Sequence, residues 1–277
     1  MKIVSIGIAK CEIDGIDLGS CISSTIETQL TTIGTHTSKV GSAKIVPSEY
    51  KVKRAAGVMS IAVEEISIVR SILDDMLSVL NGEPPVKKPF TCSFPLSGGS
   101  ISGQVLMLPQ FSATVSVDGW SSITIQPTIC SELTATSGSN MPTVVGGVPF
   151  MDTKVRGAAT LDTDNLCCGV TCNSLDVGEL NISVSCQSTG IYRNASPWPI
   201  DYVIDIAQVT ADIGFYTFEA LQTYFDTDQT VIITFNTIGG TSVNLNFGDK
   251  CSKILSGMKT STSGINTWHV KIEGNSF

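Results

Sequence analysis

The sequence predicts a mainly β protein: two tandem, similar β-sandwich or barrel domains, each with one short flanking α-helix. Three observations predict it. Short apolar runs with strand-type spacing dominate the chain, and a two-residue period places alternate side chains on one buried face. Turn signals separate the runs, among them Asp14-Gly15, Asp118-Gly119 and Gly239-Gly240, dipeptides that favour tight hairpins. The order of elements over residues 1–130 returns over residues 167–277, with residues 131–166 between them.

In order, Ile3 to Ile13 alternates loosely, with Ile6, Ile8 and Ile13 as apolar marks. After Asp14-Gly15, Ile16 to Leu30 forms a second strand through Ile22 and Ile26. Thr31 to Tyr50 is a polar loop holding Gly34, Gly41 and Pro47, and Val52 to Val63 is the third strand. A helix follows: Ser67 caps it, and Val69, Ile72, Leu73, Met76 and Leu80 share one face at helical spacing. Asn81-Gly82 stops it and Pro84-Pro85 prevents resumption. Strands resume at Phe90 to Phe94, Gln104 to Leu108, Phe111 to Val117 and Ser122 to Gln126.

Residues 131–166 hold Ser, Thr, Gly and Pro with scattered Val and no clear period. A structureless stretch of that length is uncommon inside a compact domain, so it is a linker or arm that either holds a hairpin or reaches over a neighbouring subunit. Strands then fall at Val170 to Leu175, Glu179 to Gln187 and Tyr202 to Val209. A short helix spans Phe215 to Phe225, with Phe218, Leu221 and Phe225 on one stripe. Val231 to Phe235, Ser242 to Phe247, Lys253 to Thr260 and Trp268 to Ile272 complete the chain.

The internal repeat rests on shared order. Ile16-Asp17-Leu18-Gly19 resembles Leu175-Asp176-Val177-Gly178, the two helix stripes correspond, and Trp120 near the end of one half faces Trp268 near the end of the other. A repeat of this size is a duplicated domain rather than a solenoid.

Composition narrows function. Charged residues make up 15% of the chain, against a usual share of about 25%, so the surface is neutral and rich in Ser, Thr and Gly. The net charge of −8 argues against a protein that grips nucleic acid through Lys and Arg. An acidic surface instead keeps DNA from sticking. The only histidines are His36 and His269, too few and too isolated for a triad or a zinc site. Glu64-Glu65 suits the favourable charge at a helix start, and Asp162-x-Asp164 alone does not make a calcium loop. No catalytic residue, cofactor or metal is therefore expected. Nine cysteines cannot all pair within one chain. Most suit buried packing; the alternative is disulfides between subunits in an oxidising medium, and Cys167, Cys168 and Cys172 are the candidates for a disulfide.

With its Asp14-Gly15 hairpin, long strand, variable loop, and a strand running through Val63-Glu64 into one short helix, the first half resembles a phage tail-tube protein. The resemblance covers Ile3 to Gln126 best and rests on element order, since no short diagnostic motif exists. It implies subunits that form a ring whose sheets join into a continuous lumen wall. The loop carrying Thr31, Gly34, Lys39, Gly41, Lys44, Pro47 and Tyr50 would reach the adjacent ring, as would Ser188 to Ile200 in the second half. In the arm, Met141, Val144, Val148 and Phe150 are candidate contacts to a neighbouring subunit. Duplication implies a homotrimer that imitates a sixfold ring.

Implied partners are further copies of the chain and other tail proteins, such as sheath, terminator or baseplate. DNA would pass through the lumen without specific binding, and no membrane is involved. The implied location is the virion tail, after assembly in the host cytoplasm. Two alternatives remain open: a tube-initiating baseplate hub or tail-end ring protein of the same lineage, and a β-sandwich adhesin or decoration protein. In the last, Trp120, Trp198 and Trp268 would form a sugar-stacking surface; otherwise Trp120 and Trp268 are equivalent core anchors.

Overall fold

Asp14 and Gly15 both sit at positive φ, 53° and 77°, which makes the two-residue turn whose twist matches paired strands. The computed structural model describes residues 8–18, 23–33, 52–94, 99–116, 121–136, 144–145, 148–149, 153–157, 162–193, 196–226, 230–248, 251–260 and 264–276. The turn joins β1 (Ile8–Ile13) to β2 (Ile16–Asp17). β3 (Ser23–Ile33) and β4 (Val52–Val63) form a long hairpin, followed by α1 (Arg70–Leu80). Next come β5 (Lys87–Phe94), β6 (Gly99–Leu106), β7 (Phe111–Val115), β8 (Ser122–Ile125) and β9 (Thr128–Ile129).

Among its described residues, the stretch between the halves holds short strands, including the hairpin that was one of its two expected forms. β10 (Thr134–Thr136) pairs with β6, β11 (Val144–Val145) and β12 (Val148–Pro149) pair with each other, and β13 (Thr153–Gly157) pairs with β3. None of these strands exceeds five residues, too short to impose a hydrophobic period on the sequence. The partners of β10 and β13 lie far away along the chain.

The rest is β14 (Cys167–Cys172), β15 (Leu175–Tyr192), β16 (Pro199–Phe215), α2 (Phe218–Asp226), β17 (Ile232–Thr237), β18 (Ser242–Asn246), β19 (Cys251–Thr260) and β20 (Asn266–Ser276). Val170 to Leu175 is not one strand: Asn173 (φ 49°) and Ser174 (φ 68°) turn the chain between β14 and β15. Asn tolerates that region, while Ser at φ 68° carries the side-chain strain that glycine avoids. Ser174→Gly is therefore expected to raise stability by about 1 kcal/mol, read as a higher midpoint in urea; an unchanged midpoint would count against strain there. The second variable loop is also shorter than expected, because β15 runs on through Tyr192 and β16 starts at Pro199.

All the strands but β11 and β12 join in one large, almost wholly antiparallel sheet that folds around one main core, with a small second cluster at Leu106, Leu108 and Cys130. In the first half β1 pairs with β5, β5 with β6, β3 with β4, β4 with β8, and β7 with β8. In the second half β14 pairs with β17, β17 with β18, β15 with β16, β16 with β20, and β19 with β20. Among the described residues one ladder joins the halves: β7 lies antiparallel to β15, with Phe111 opposite Val184, Ala113 opposite Ile182, and Val115 opposite Leu180.

The helices close this core. α1 buries Ile72, Leu73, Met76, Leu77, Val79 and Leu80 and packs against β18. Ser67 is not its cap. It lies in a 3-10 turn before α1, and its hydroxyl donates to Asn165 Oδ1 instead. α2 buries Leu221 and Tyr224, while Phe218 and Phe225 stay exposed, so the expected stripe is displaced. Thr217 sets that phase: it caps the helix, its hydroxyl accepting from Ala220 N at 3.1 Å. Tyr224 then meets Phe215 at a centroid distance of 5.3 Å.

Candidate functional site

β18 pairs only with β17 among the described residues, and β19 is another, longer open edge. Among the described residues it pairs only with β20, from Cys251 opposite Gly274 to Thr260 opposite Asn266. No strand among the described residues meets its other edge. Ile254, Leu255 and Met258 along it are 47%, 58% and 54% exposed. A long, apolar, uncovered edge is a template for pairing with another chain, and proteins usually blunt such edges. In β7 the corresponding situation is resolved inside the chain, since β8 lies on one side and β15 on the other.

Beside β19 lies a polar clasp. His269 faces Gly214 across β16 and β20, and a Cβ on Gly214 would stand 2.8 Å from His269 Nε2. The absence of a side chain there is what admits the ring. His269 Nδ1 lies 2.8 Å from Asp212 Oδ1, and Nε2 lies 2.8 Å from Thr267 Oγ1 and 3.3 Å from Glu179 Oε2. Lys259 of β19 reaches the other Asp212 oxygen. Hydroxyl, imidazole and carboxylate stand in the order of a hydrolase triad. Thr267, however, is 0% exposed and His269 2% exposed, so the hydroxyl oxygen presents no face to a substrate. The cluster ties β15, β16, β19 and β20 together.

Its electrostatics give a pH prediction. Burial pushes the Asp212 carboxyl up, but hydrogen bonds from Lys259 and His269, with their charges, hold it below the usual carboxylate range. A folded value below the unfolded one stabilises the protein at pH above the unfolded value, about 4, and that contribution disappears as pH falls through the folded value. Asp212→Asn is expected to lower the urea midpoint at neutral pH. The gap from wild type should close on acidification; a gap constant with pH would refute the assignment.

The other sequence-derived candidates separate. Thr31 lies within β3, whereas Gly34, Lys39, Gly41, Lys44, Pro47 and Tyr50 fall outside the described residues. Val144 and Val148 belong to the β11–β12 hairpin, opposite Pro149 and Val145, and Met141 and Phe150 fall outside the described residues. Glu65 is 2% exposed, and its carboxylate accepts from Asp162 N rather than facing solvent at a helix start. Asp162 caps the turn Thr163–Asn165, its Oδ1 accepting from Asp164 N at 3.1 Å. Trp198 is 4% exposed, so it offers no platform for a sugar ring. Trp268 meets Phe218 edge-on at 5.0 Å, and Trp120 falls outside the described residues.

Cys167, Cys168 and Cys172 are free thiols on one strand. At about 3.3 Å per residue, Cys168 and Cys172 are roughly 13 Å apart, while a bridge needs Cα atoms within about 7 Å. Burial pushes the Cys172 thiol up to about 12, against a Tyr224 hydrogen bond and the Lys253 charge. A different pair has the geometry. Cys11 and Cys92 face each other across β1 and β5 with sulfurs 3.2 Å apart, both 1% exposed. Oxidation of the folded chain by diamide is expected to join these two first, with loss of two hydrogens and a linked peptide in the mass map that Cys11→Ser removes. A first link elsewhere would exclude that pairing.

No protein-family model and no curated protein sequence matches this chain. Among the described residues no group of His, Cys, Asp or Glu is placed to hold a metal ion, and no helix is long and apolar enough to cross a membrane. The β7–β15 joint and the clasp left little trace in the sequence. The only hint of the clasp was an isolated histidine beside Trp268.

Proposed function

We propose that this protein is a structural subunit that assembles head to tail by strand addition, as a phage tail-tube protein does, into trimeric rings that stack into a conduit for DNA. The observation that carries the reading is the β7–β15 ladder between the halves. The halves share one pairing plan, which supports a duplicated unit. Val63 and Ile61 of β4 face Ile123 and Ile125 of β8, as Ile213 and Ala211 of β16 face Val270 and Ile272 of β20. Matched this way, the units run one residue out of phase with the alignment that pairs Trp120 with Trp268. Gly178 absorbs a similar shift at the bulge in β15.

Under this correspondence β19 is the second unit's version of β7, and β3 is the first unit's version of β15. One chain therefore contains one completed joint and the two halves of another. Joining β19 of one copy to β3 of the next repeats the internal ladder. Such a contact is head to tail, and it closes into a ring when the rotation closes. Two units per chain make three chains a pseudo-sixfold ring. A net charge of −8 on each chain suits a conduit that DNA traverses without adhering.

Sedimentation velocity and negative-stain electron microscopy of the purified chain test this. Rings of three copies with six similar lobes, or tubes built from them, are expected. A protein that remains monomeric at every concentration and shows no such particle would overturn the proposal.

A further inference from the structure

The acceptor edge of β3 is already occupied. β13 lies antiparallel on it, with Thr153 opposite Ile26 and Val155 opposite Ser24. Ser24 stands opposite Ile61 and Ile26 opposite Met59 in the β3–β4 hairpin, while Ile182 stands opposite Ala211 and Val184 opposite Val209 in β15–β16. Since Ile61 corresponds to Ala211, Ser24 corresponds to Ile182 and Ile26 to Val184. In the internal joint those positions receive Ala113 and Phe111 of β7. β13 thus stands on β3 where β7 stands on β15, in the same direction and the same register. Along the β20 ladder, the counterparts of Ala113 and Phe111 are Leu255 and Lys253 of β19.

We infer that β13 is a built-in stand-in for a neighbour's β19: it covers the acceptor edge in the free subunit and yields that edge to a second copy of the chain on assembly. This rests on the head-to-tail reading above. On the β3 edge the exchange is favourable in length. β13 pairs with β3 over Thr153, Lys154 and Val155, and separately with β1 at Arg156 and Gly157, whereas the internal ladder runs from Phe111 to Val115. A covered edge also restrains premature pairing. The other edge of β13 is met by β1 in parallel, with Ile8 opposite Arg156 and Ala9 opposite Gly157. Assembly then becomes a competition between a short strand held within the chain and a longer one arriving in solution, so it depends steeply on concentration.

Hydrogen exchange on the full chain, free and assembled, reads this directly. Amides of residues 153–157 are expected to lose protection on assembly while those of residues 251–260 gain it. Lys154→Pro with Val155→Pro supplies the second arm. Successive amides in a strand point to opposite edges, so one of the two prolines removes a donor facing β3. The concentration at which assembly begins should fall about tenfold, the factor equivalent to about 1.4 kcal/mol. A lock supplies the third: Ile26→Cys with Thr153→Cys, linked by oxidation and verified by peptide mapping, should keep the protein monomeric until reduced. If the wild type assembles, residues 251–260 gain protection and residues 153–157 keep theirs, the stand-in role is wrong and the head-to-tail reading survives. A locked protein that assembles like wild type likewise removes the stand-in role and leaves the head-to-tail contact intact. If residues 251–260 gain no protection in assembled particles, or no assembly occurs, the head-to-tail reading itself fails.

Discussion

Replacing Ile254, Leu255 and Met258 together by lysine is expected to leave the subunit folded and to prevent ring formation. The three side chains are about half exposed in the free chain, and surface changes of this kind usually alter stability by less than about 0.5 kcal/mol. In the proposed head-to-tail contact they would lie in the joint. Leu255 holds the place that Ala113 holds in the internal ladder, where Ala113 is 1% exposed and part of the core. Covering three partly exposed apolar side chains contributes roughly 1 kcal/mol each, and adding three cations to an edge is a common device for blocking strand addition. Together these weaken association by more than about a hundredfold. Sedimentation velocity with circular dichroism separates the two effects. Normal melting with loss of the ring species is the expected pattern, and rings persisting at wild-type concentrations would remove β19 from the interface. The lysine variant also differs from the proline pair in β13 in direction: one suppresses assembly, the other promotes it.

Ile182→Ala is expected to destabilise the whole chain by about 4 kcal/mol. Ile182 is fully buried and lies between Ala113 on β7 and Ala211 on β16. Its larger side chain fills space that two alanines leave, and after truncation none of the three can reach across the gap. That places the cost toward the upper part of the usual range for aliphatic truncation in a core. The loss is a large share of a typical net stability of about 5–15 kcal/mol. One buried cluster runs through both halves, and α1 of the first half rests on β18 of the second. Urea unfolding followed by fluorescence and by far-ultraviolet circular dichroism should therefore shift as a single transition. If the second half melts separately while the first is unmoved, the halves are independent folding units and the joint does not unite them.

Where a strand alternates and ends in strong turn chemistry, the sequence expectation and the structure agree closely. Val52 to Val63 is β4, Asp14-Gly15 is a tight turn, and Gly82 ends α1 at a φ of 91°. Expectations diverged where local pattern was weak or overruled. Asn173-Ser174 is a poor turn signal, yet it turns because β15 and β17 pair on either side of β14. Phe218 and Phe225 carry the more apolar signature in α2, yet Leu221 and Tyr224 are buried, because the Thr217 cap and the Phe215 ring set the rotation of the helix. Residues 131–166 show no period because strands of two to five residues are too short to display one.

What the sequence alone determined is a β-rich chain, one helix in each half, and an acidic, weakly charged surface. These follow from local periodicity and composition, which act over a few residues. Only the tertiary structure decided which edges are filled and which are open. Strand pairing joins residues remote along the chain, β7 to β15 and β13 to β3, and a side-chain hydrogen bond joins His269 to Asp212. No local pattern encodes so distant a partner, because a backbone amide offers the same donor whatever strand arrives to meet it.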